Sequence, residues 1–356
     1  MNLNSSGRID SFRYVRVDRV TFAEIEEVDG ILDGGTIDLN DLTSIKATGS
    51  LPYFRAFDIA NDYLRVYLDM ELNGEQESDA LGTFLVSTPK QTITGTEKDG
   101  PIISGSVELY SVLQVLVDDC FDDLLIVSAG TNAVSFAAVI VSLAGLPVIA
   151  APSSATLNTI SIYDPKDYSK LDIINDLLKY AGFSSLGVDG YGNVLMSEYT
   201  DPANLTPVIE FKDGEGGCRF MPDVDHEQDD FSVPNKINVT MSSPDKTLRA
   251  TAINDDPTNR FSTVSKGRNI VFQDEVSDIP SQSALNAYAQ KLLSDKTSSV
   301  ESVTITHPYQ RYNTGDAGHL DYNAANLDFV GIAASKELTL VPGVPTKARF
   351  RVFLRS

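Results

Sequence analysis

The chain has no tryptophan, two cysteines and three histidines in 356 residues, and each scarcity removes a class of explanation. Cys120 and Cys218 are too few for a disulfide framework and lie in no CxxC or Cys/His zinc spacing, which fits synthesis in a reducing compartment. His226, His307 and His319 are scattered, and none pairs with a Ser, Cys or Glu at the spacing of a catalytic triad or a zinc-binding helix. The expectation is therefore no catalytic residue, no cofactor-binding residue, no metal ligand and no cofactor. Tryptophan is enriched among the anchors of binding surfaces, so its absence counts against a receptor- or carbohydrate-binding module.

Positive charge is scarce as well. The chain carries 28 Lys and Arg against 50 Asp and Glu, a formal net charge of −22. Affinity for nucleic acid is built from Lys and Arg that release counterions, so contact with DNA should be repulsive rather than adhesive. The N-terminus has no uninterrupted apolar core followed by small residues and does not read as a secretory signal. One long stretch does lack charge, from Leu124 to Tyr163, and within it AVSFAAVIVSLAGLPVIAAP has the length of a bilayer span. Gly145 and Pro147 interrupt that run, and the flank DDCFDD (118–123) is acidic rather than basic, so the reading is a buried helix followed by strands and no membrane span.

What is present is mostly β pattern. RYVRVDRVTF, GTIDLN, YLRVYLDMEL, ALGTFLVSTPKQTITG and IISGSVELYSVLQVLV alternate or carry β-branched runs between Gly, Asn and Asp turns, which predicts a sandwich or small barrel over 1–117. In YLRVYLDMEL, Leu64, Val66, Leu68 and Met70 fall on one face and Arg65, Tyr67, Asp69 and Glu71 on the other, the pattern of a half-buried strand. Residues 118–210 are mixed: a helix over Asn132 to Ala144, then VIAAP and TISIY as strands, then a second helix opened by the capping-box pair Ser169 and Asp172 and ended by Gly182. Residues 211–356 return to strands, namely KINVTM, LRATAI, NIVFQD, SVTITH, HLDY, ELTL and RFRVFLR. One helix interrupts them from Ser281 or Ser283, with Ala284, Leu285, Tyr288, Leu292 and Leu293 on its buried side. The fold class is β-rich α+β, with β domains at 1–117 and 211–356 flanking a mixed α/β domain at 118–210.

Three segments invite a ligand. GVDGYGN (187–193) has the glycines of a phosphate loop, but a dinucleotide loop needs a strand before it and a helix after it, whereas here VLMSEY follows and reads as a strand; the glycines turn a hairpin. PDVDHEQDDF (222–231) is rich in carboxylates. Counted from Asp223, however, the sixth and twelfth EF-hand positions hold Gln228 and Pro234 instead of Gly and Glu, so it reads as an acidic connecting loop. DDCFDD reads as a solvated acidic corner.

The C-terminal half carries a resemblance. DFSVPNKINVTMSSPD, then ATAINDDPTNRFSTVSKGRNIVFQDEVSDIPSQSALNAYAQKLLSDKTSSVESVTITHP, then YNTGDAGHLDY, resembles in order and spacing the minor tail proteins that form the tail-tip hub of long-tailed bacteriophages. The shared features are the VPN tripeptide entering a strand, an Asn and Pro turn before STVSKGR, the Ala and Leu helix, the strand after it, and a turn at Gly315 and Asp316. Upstream, ALGTFLVSTPKQTITG with VELYSVLQVL, and KLDIINDLLKYAGFSSLGVDGYGNVLMSEY, look like the first hub domain and its inserted mixed domain, so that the likeness runs from about residue 55 to 325. It implies two related β-barrel-like hub domains per subunit and a homotrimer closing into a ring at the tail tip. Its implied partners are a distal tail protein, tail tube and tape measure proteins, with DNA passing through unbound. The implied location is the virion, after synthesis in the host cytoplasm. The chain departs from such relatives in stopping at RVFLRS, which implies a separate tip or receptor-binding protein, and in placing Ala317 and Gly318 where bulkier apolar residues are usual. A receptor- or carbohydrate-binding tail component and a tail-associated hydrolase are the alternative readings.

Overall fold

Alternating apolar residues with β-branched runs build one sheet of 14 strands. The computed structural model describes residues 3–355 apart from 6, 55–58, 60, 88–89, 97–99, 202–203, 215, 229–230, 244–245, 277–278, 280 and 299–300. Along the sheet the strands run Asp225–Gln228, Glu301–His307, Thr346–Arg355, Leu327–Leu340, Gly35–Asn40, Ala47–Tyr53, Gly100–Ser111, Glu75–Val86, Tyr63–Leu72, Ile9–Val17 and Glu24–Glu27. Ile209–Lys212 pairs parallel with Ala317–Tyr322, and Lys90–Thr96 pairs with Gly100–Ser111. N-terminal and C-terminal strands therefore share one sheet, joined where Gly35–Asn40 lies antiparallel to Leu327–Leu340, with Leu340 opposite Gly35.

The long strand Leu327–Leu340 serves two cores. Phe329 and Ala333 pack with Phe211, Ile305, Leu320 and Phe350, while Leu338 and Leu340 pack with Ile37, Leu51, Leu64, Phe84 and Leu109. Between Ala333 and Ser335 its register against Thr346–Arg355 shifts, and the buried positions change there from odd (Phe329, Gly331, Ala333) to even (Lys336, Leu338, Leu340). A bulge that inserts one residue has this effect on alternation. Gly318 explains one departure noted above: a Cβ there would lie 2.7 Å from the Phe350 ring, so a bulky residue has no room.

The uncharged segment and its surroundings form a separate layer. Helix Ala133–Leu143 is capped by Asn132, whose Oδ1 accepts from the Ser135 amide, and Gly145 leaves it at positive φ. Helix Lys170–Tyr180 opens with the expected capping box and is followed by Gly182 at φ 77°. Together with a ribbon of Leu125–Val127 and Ser161–Tyr163, and a three-stranded sheet ordered Val148–Ala150, Val194–Met196, Gly187–Val188, they bury Ala137, Ile140, Ile174, Leu177 and Val194 in one core. Among the described residues no helix is long and apolar enough to cross a membrane. Ser169→Ala removes an acceptor for the Asp172 amide and should cost about 1 kcal/mol of stability, measured by urea unfolding; an unchanged midpoint would show that the cap contributes nothing.

Residues 211–356 build two cores. Strands Lys246–Ile253, Lys236–Ser243 and Val271–Val276 form their own sheet, against which helix Gln282–Ser298 buries Leu285, Ala289 and Leu293. The helix stripe read from sequence is close to this: Leu285 and Leu293 are buried, and Ala284, Tyr288 and Leu292 lie at its half-buried margin. One expectation is corrected. Asp225–Gln228 is a strand antiparallel to Glu301–His307, not a loop, and all four of its residues are exposed. It is the outermost strand of its sheet, where charged side chains guard an open edge, so an acidic run and a strand are compatible.

Candidate functional site

The glycine segment forms the hairpin expected, with Val188 opposite Val194. Its turn is closed from within: Asp189 Oδ1 accepts from the amides of Tyr191 (2.9 Å) and Asn193 (2.8 Å). Amides that a phosphate loop would turn toward an anion are thus occupied by the chain's own carboxylate. The glycines meet protein instead. A Cβ on Gly190 would lie 1.9 Å from the Ala80 carbonyl oxygen, and one on Gly192, at φ 86°, would lie 2.9 Å from the Phe22 ring and 3.2 Å from Thr83. Glycine here lets the hairpin backbone lie directly on strand Glu75–Val86.

Polar contacts fasten this junction. Thr83 Oγ1 donates to the Gly190 carbonyl (2.9 Å), Arg65 Nε donates to Thr83 Oγ1 (2.9 Å), and Arg65 Nη2 donates to the Tyr191 carbonyl (3.0 Å). Arg65 also pairs with Glu24, which accepts from the Tyr67 hydroxyl. Burial, with Glu24 adding to it, holds the Tyr67 phenol above its ordinary range. The half-buried strand expected over Tyr63–Leu72 is corrected accordingly: Leu64, Val66, Leu68 and Met70 are buried as read, but Arg65 and Tyr67 are buried too, because the hairpin covers the second face. The alternation places Arg65 on that face, but nothing local to it announces a cover.

The three histidines stay apart. His226 Nε2 lies 2.6 Å from Glu301 Oε1, and His319 lies between Glu210 (3.2 Å) and Asp328 (2.8 Å). His307 is fully buried, its Nδ1 2.7 Å from the Pro308 carbonyl and its Nε2 2.7 Å from the Tyr312 hydroxyl. Burial lowers its pKa to about 4, so the ring is neutral near pH 7, donating from Nδ1 and accepting at Nε2. Beside it Lys336, also buried, donates to the carbonyls of Gln310 (2.8 Å) and Tyr312 (3.2 Å) and sits over the rings of Tyr309 and Tyr312. Burial lowers its pKa to about 7.

These groups fix the segment between Glu301–His307 and Ala317–Tyr322, which reaches the N-terminal strands through Arg311. That guanidinium pairs with Glu77 (2.5 Å) and Asp79 (2.8 Å), and Arg8 Nη1 donates to the Tyr309 carbonyl (3.2 Å). Sequence reading names His307 only as one of three scattered histidines and misses Tyr312, Lys336 and Arg311, since most of their partners are dozens to hundreds of residues distant. The acidic segments make single pairs: Glu227 with Arg349 (3.1 Å) and Asp119 with Lys170, both distant in the chain, and Asp118 with Gln114 four residues away (2.6 Å), while Asp122 and Asp123 are exposed. Among the described residues, no group of three or more His, Cys, Asp or Glu is placed to hold a metal ion.

At both junctions the buried polar groups satisfy one another, which is the chemistry of a site that holds parts of a fold together. The fold is that of phage tail proteins. It is similar over 96% of both chains to the tail protein from Neisseria meningitidis, at 16% identity and a TM-score of 0.66. It is similar to the 43 kDa tail protein of prophage MuSo2 from Shewanella oneidensis, at 12% identity and a TM-score of 0.64, over 97% of this chain and 98% of that one. A prophage tail protein from Listeria monocytogenes matches 97% of this chain with 95% of its own, at 12% identity and a TM-score of 0.55. No family model matches the sequence, and no curated protein matches it.

Proposed function

We propose that this chain is a structural component of a phage tail, the hub subunit at the tail tip, three copies of which close a ring that continues the tail tube. The observation that carries this reading is the likeness in fold to phage tail proteins across nearly the whole length of both chains. The shared sheet supports it. A ring wall must transmit load between its upper and lower neighbours, and a subunit whose two β regions are hydrogen-bonded strand to strand through Gly35–Asn40 and Leu327–Leu340 does so without a flexible linker. The net charge of −22 suits a passage through which DNA slides without being held. In this reading the neighbours are a distal tail protein, the tube and tape measure proteins, and a separate tip or receptor-binding protein. The role is mechanical and not catalytic.

A reconstruction of tails containing this protein tests the proposal. Three copies at the level below the tube are expected; one copy, six copies, or a position on the outside of the tail would reject it.

A further inference from the structure

Between the two junctions lies a cavity of about 610 Å³, which touches Gly190 of the glycine hairpin on one side and Tyr312 and Lys336 on the other. Sites that enclose small ligands span about 300–1,000 Å³, so it has room for one. Strand Thr346–Arg355 brings Arg351 to its wall. Ala348, Phe350 and Val352 of that strand pack in the core, and alternation turns Arg351 and Phe353 to the opposite face, where both line the cavity.

The surroundings of Arg351 leave its charge unanswered. The residue is half-buried and its Nε is shielded from solvent, yet among the described residues no acceptor or carboxylate meets its guanidinium. The Phe353 ring, 5.9 Å from the guanidinium carbon, is the one group placed to interact with it. Every other described arginine either pairs with a carboxylate, as Arg65 and Arg311 do, or is exposed. Lys336, in the same wall, bonds to two backbone carbonyls and to no carboxylate. A shielded donor without an acceptor costs free energy, and a guanidinium withdrawn from water without a counter-ion costs more. Water in the cavity can meet the Nε–H, but it leaves the charge uncompensated.

We infer that this cavity binds a small-molecule monocarboxylate with an apolar body, its carboxylate held by the fork of Arg351. A planar guanidinium matches the two oxygens of a carboxylate or of a phosphate, and the rest of the wall chooses between them. Asp41, Asp189, Asp316 and Glu198 also line the cavity. The first three are engaged within the chain, by Lys46, by the hairpin amides and by the Asn313 amide, but their charges remain and repel a dianion more than a monoanion. Leu81, Ile332 and Leu338 supply the apolar wall for the ligand's body. The Thr314 hydroxyl and the Asn313 side-chain amide, neither of which has a protein partner among the described residues, add neutral donors. The site lies within one chain and does not depend on whether copies form a ring.

The test uses the full chain with 3-phenylpropionate as probe, 3-phenylpropanol as its neutral counterpart, and inorganic phosphate as an anion without an apolar body. By titration calorimetry the acid should bind with a dissociation constant of about 1 mM or lower, and the alcohol and phosphate roughly tenfold more weakly or worse. The Nε–H resonance of Arg351, identified by its absence in Arg351→Lys, should shift as the acid is added. Arg351→Gln should weaken the acid by roughly tenfold or more and leave the alcohol unaffected. Equal binding of acid and alcohol would make the cavity merely apolar, and phosphate binding as tightly as the acid would make it a simple anion site; either overturns the inference. So does an acid that fails to bind at about 20 mM, or one that binds without moving the Arg351 resonance. The three probes are compared on the unaltered chain, so the result stands even if Arg351→Gln does not fold.

Discussion

Gly190→Ala should destabilise the chain by about 3 kcal/mol or more, the largest effect expected of any one-methyl change in the hairpin. The added Cβ would stand 1.9 Å from the Ala80 carbonyl oxygen, a backbone atom inside the large sheet that cannot swing aside as a side chain would. The hairpin must lift instead. Overpacking of this kind costs about 1–3 kcal/mol. Lifting also stretches the bonds from Thr83 to the Gly190 carbonyl and from Arg65 to the Tyr191 carbonyl, and a buried hydrogen bond with a charged donor contributes about 1.5–3 kcal/mol. Gly187→Ala is the control: its Cβ would meet nothing nearer than 3.6 Å, so it should change stability by less than about 1 kcal/mol. Urea unfolding of the two variants side by side decides the matter. Equal midpoints would mean that the glycines serve only the turn and that the contact with Ala80 carries no weight.

How far the sequence can be read follows from the range of each interaction. Helix Lys170–Tyr180 is legible because its cap, its apolar stripe and its stop lie within a few residues of one another, and the 187–196 hairpin is legible because strand, glycines and strand are adjacent. The role of Gly190 is not, because its neighbour Ala80 is remote in the chain and nothing at either position records the other. The same holds for the pairing of Gly35–Asn40 with Leu327–Leu340: each reads as a strand by itself, but strand patterns do not name their partners, so the sequence suggests two β regions where one sheet joins them. The acidic run at 225–228 misleads for a different reason. Charge suggests a loop, yet an edge strand accepts charge on exposed side chains as readily as a loop does. His307 is in sequence one scattered histidine among three, and its chemistry is set by Tyr312 and by a Lys336 whose burial no local pattern foretells.

Lys336→Met should change the way stability depends on pH. In the folded chain Lys336 has a pKa of about 7, lowered from an ordinary 10.5 by burial against the opposing pull of Asp79 and Asp316. Between those two values the unfolded chain holds a proton there that the folded chain has released, so stability rises with pH across that window. From pH 7 to 9.5 the rise amounts to about 3 kcal/mol, and below pH 7, where the buried ammonium is charged in both states, the full penalty of its burial persists. His307, with a folded pKa of about 4, adds a rise of its own only where the unfolded histidine still holds its proton, up to about pH 7, and that rise is present in both chains. The phenols of Tyr309 and Tyr312, pushed up by burial, oppose the trend only when unfolded tyrosines begin to ionise near pH 10, which is why the window ends at about 9.5. Methionine fills nearly the same volume without the charge but gives up the bonds to the Gln310 and Tyr312 carbonyls, a loss of about 1–3 kcal/mol. The variant should therefore be less stable than the parent at about pH 9.5, and equal to it or more stable at about pH 6.5, with a crossing between. Urea unfolding free energies at half-unit pH steps give both curves, and contributions common to the two chains, such as the half-buried Cys218 thiol, cancel in their difference. Parallel curves would show that Lys336 keeps its ordinary pKa in the fold, and that the two carbonyls and two rings around it stabilise its charged form well enough to offset burial.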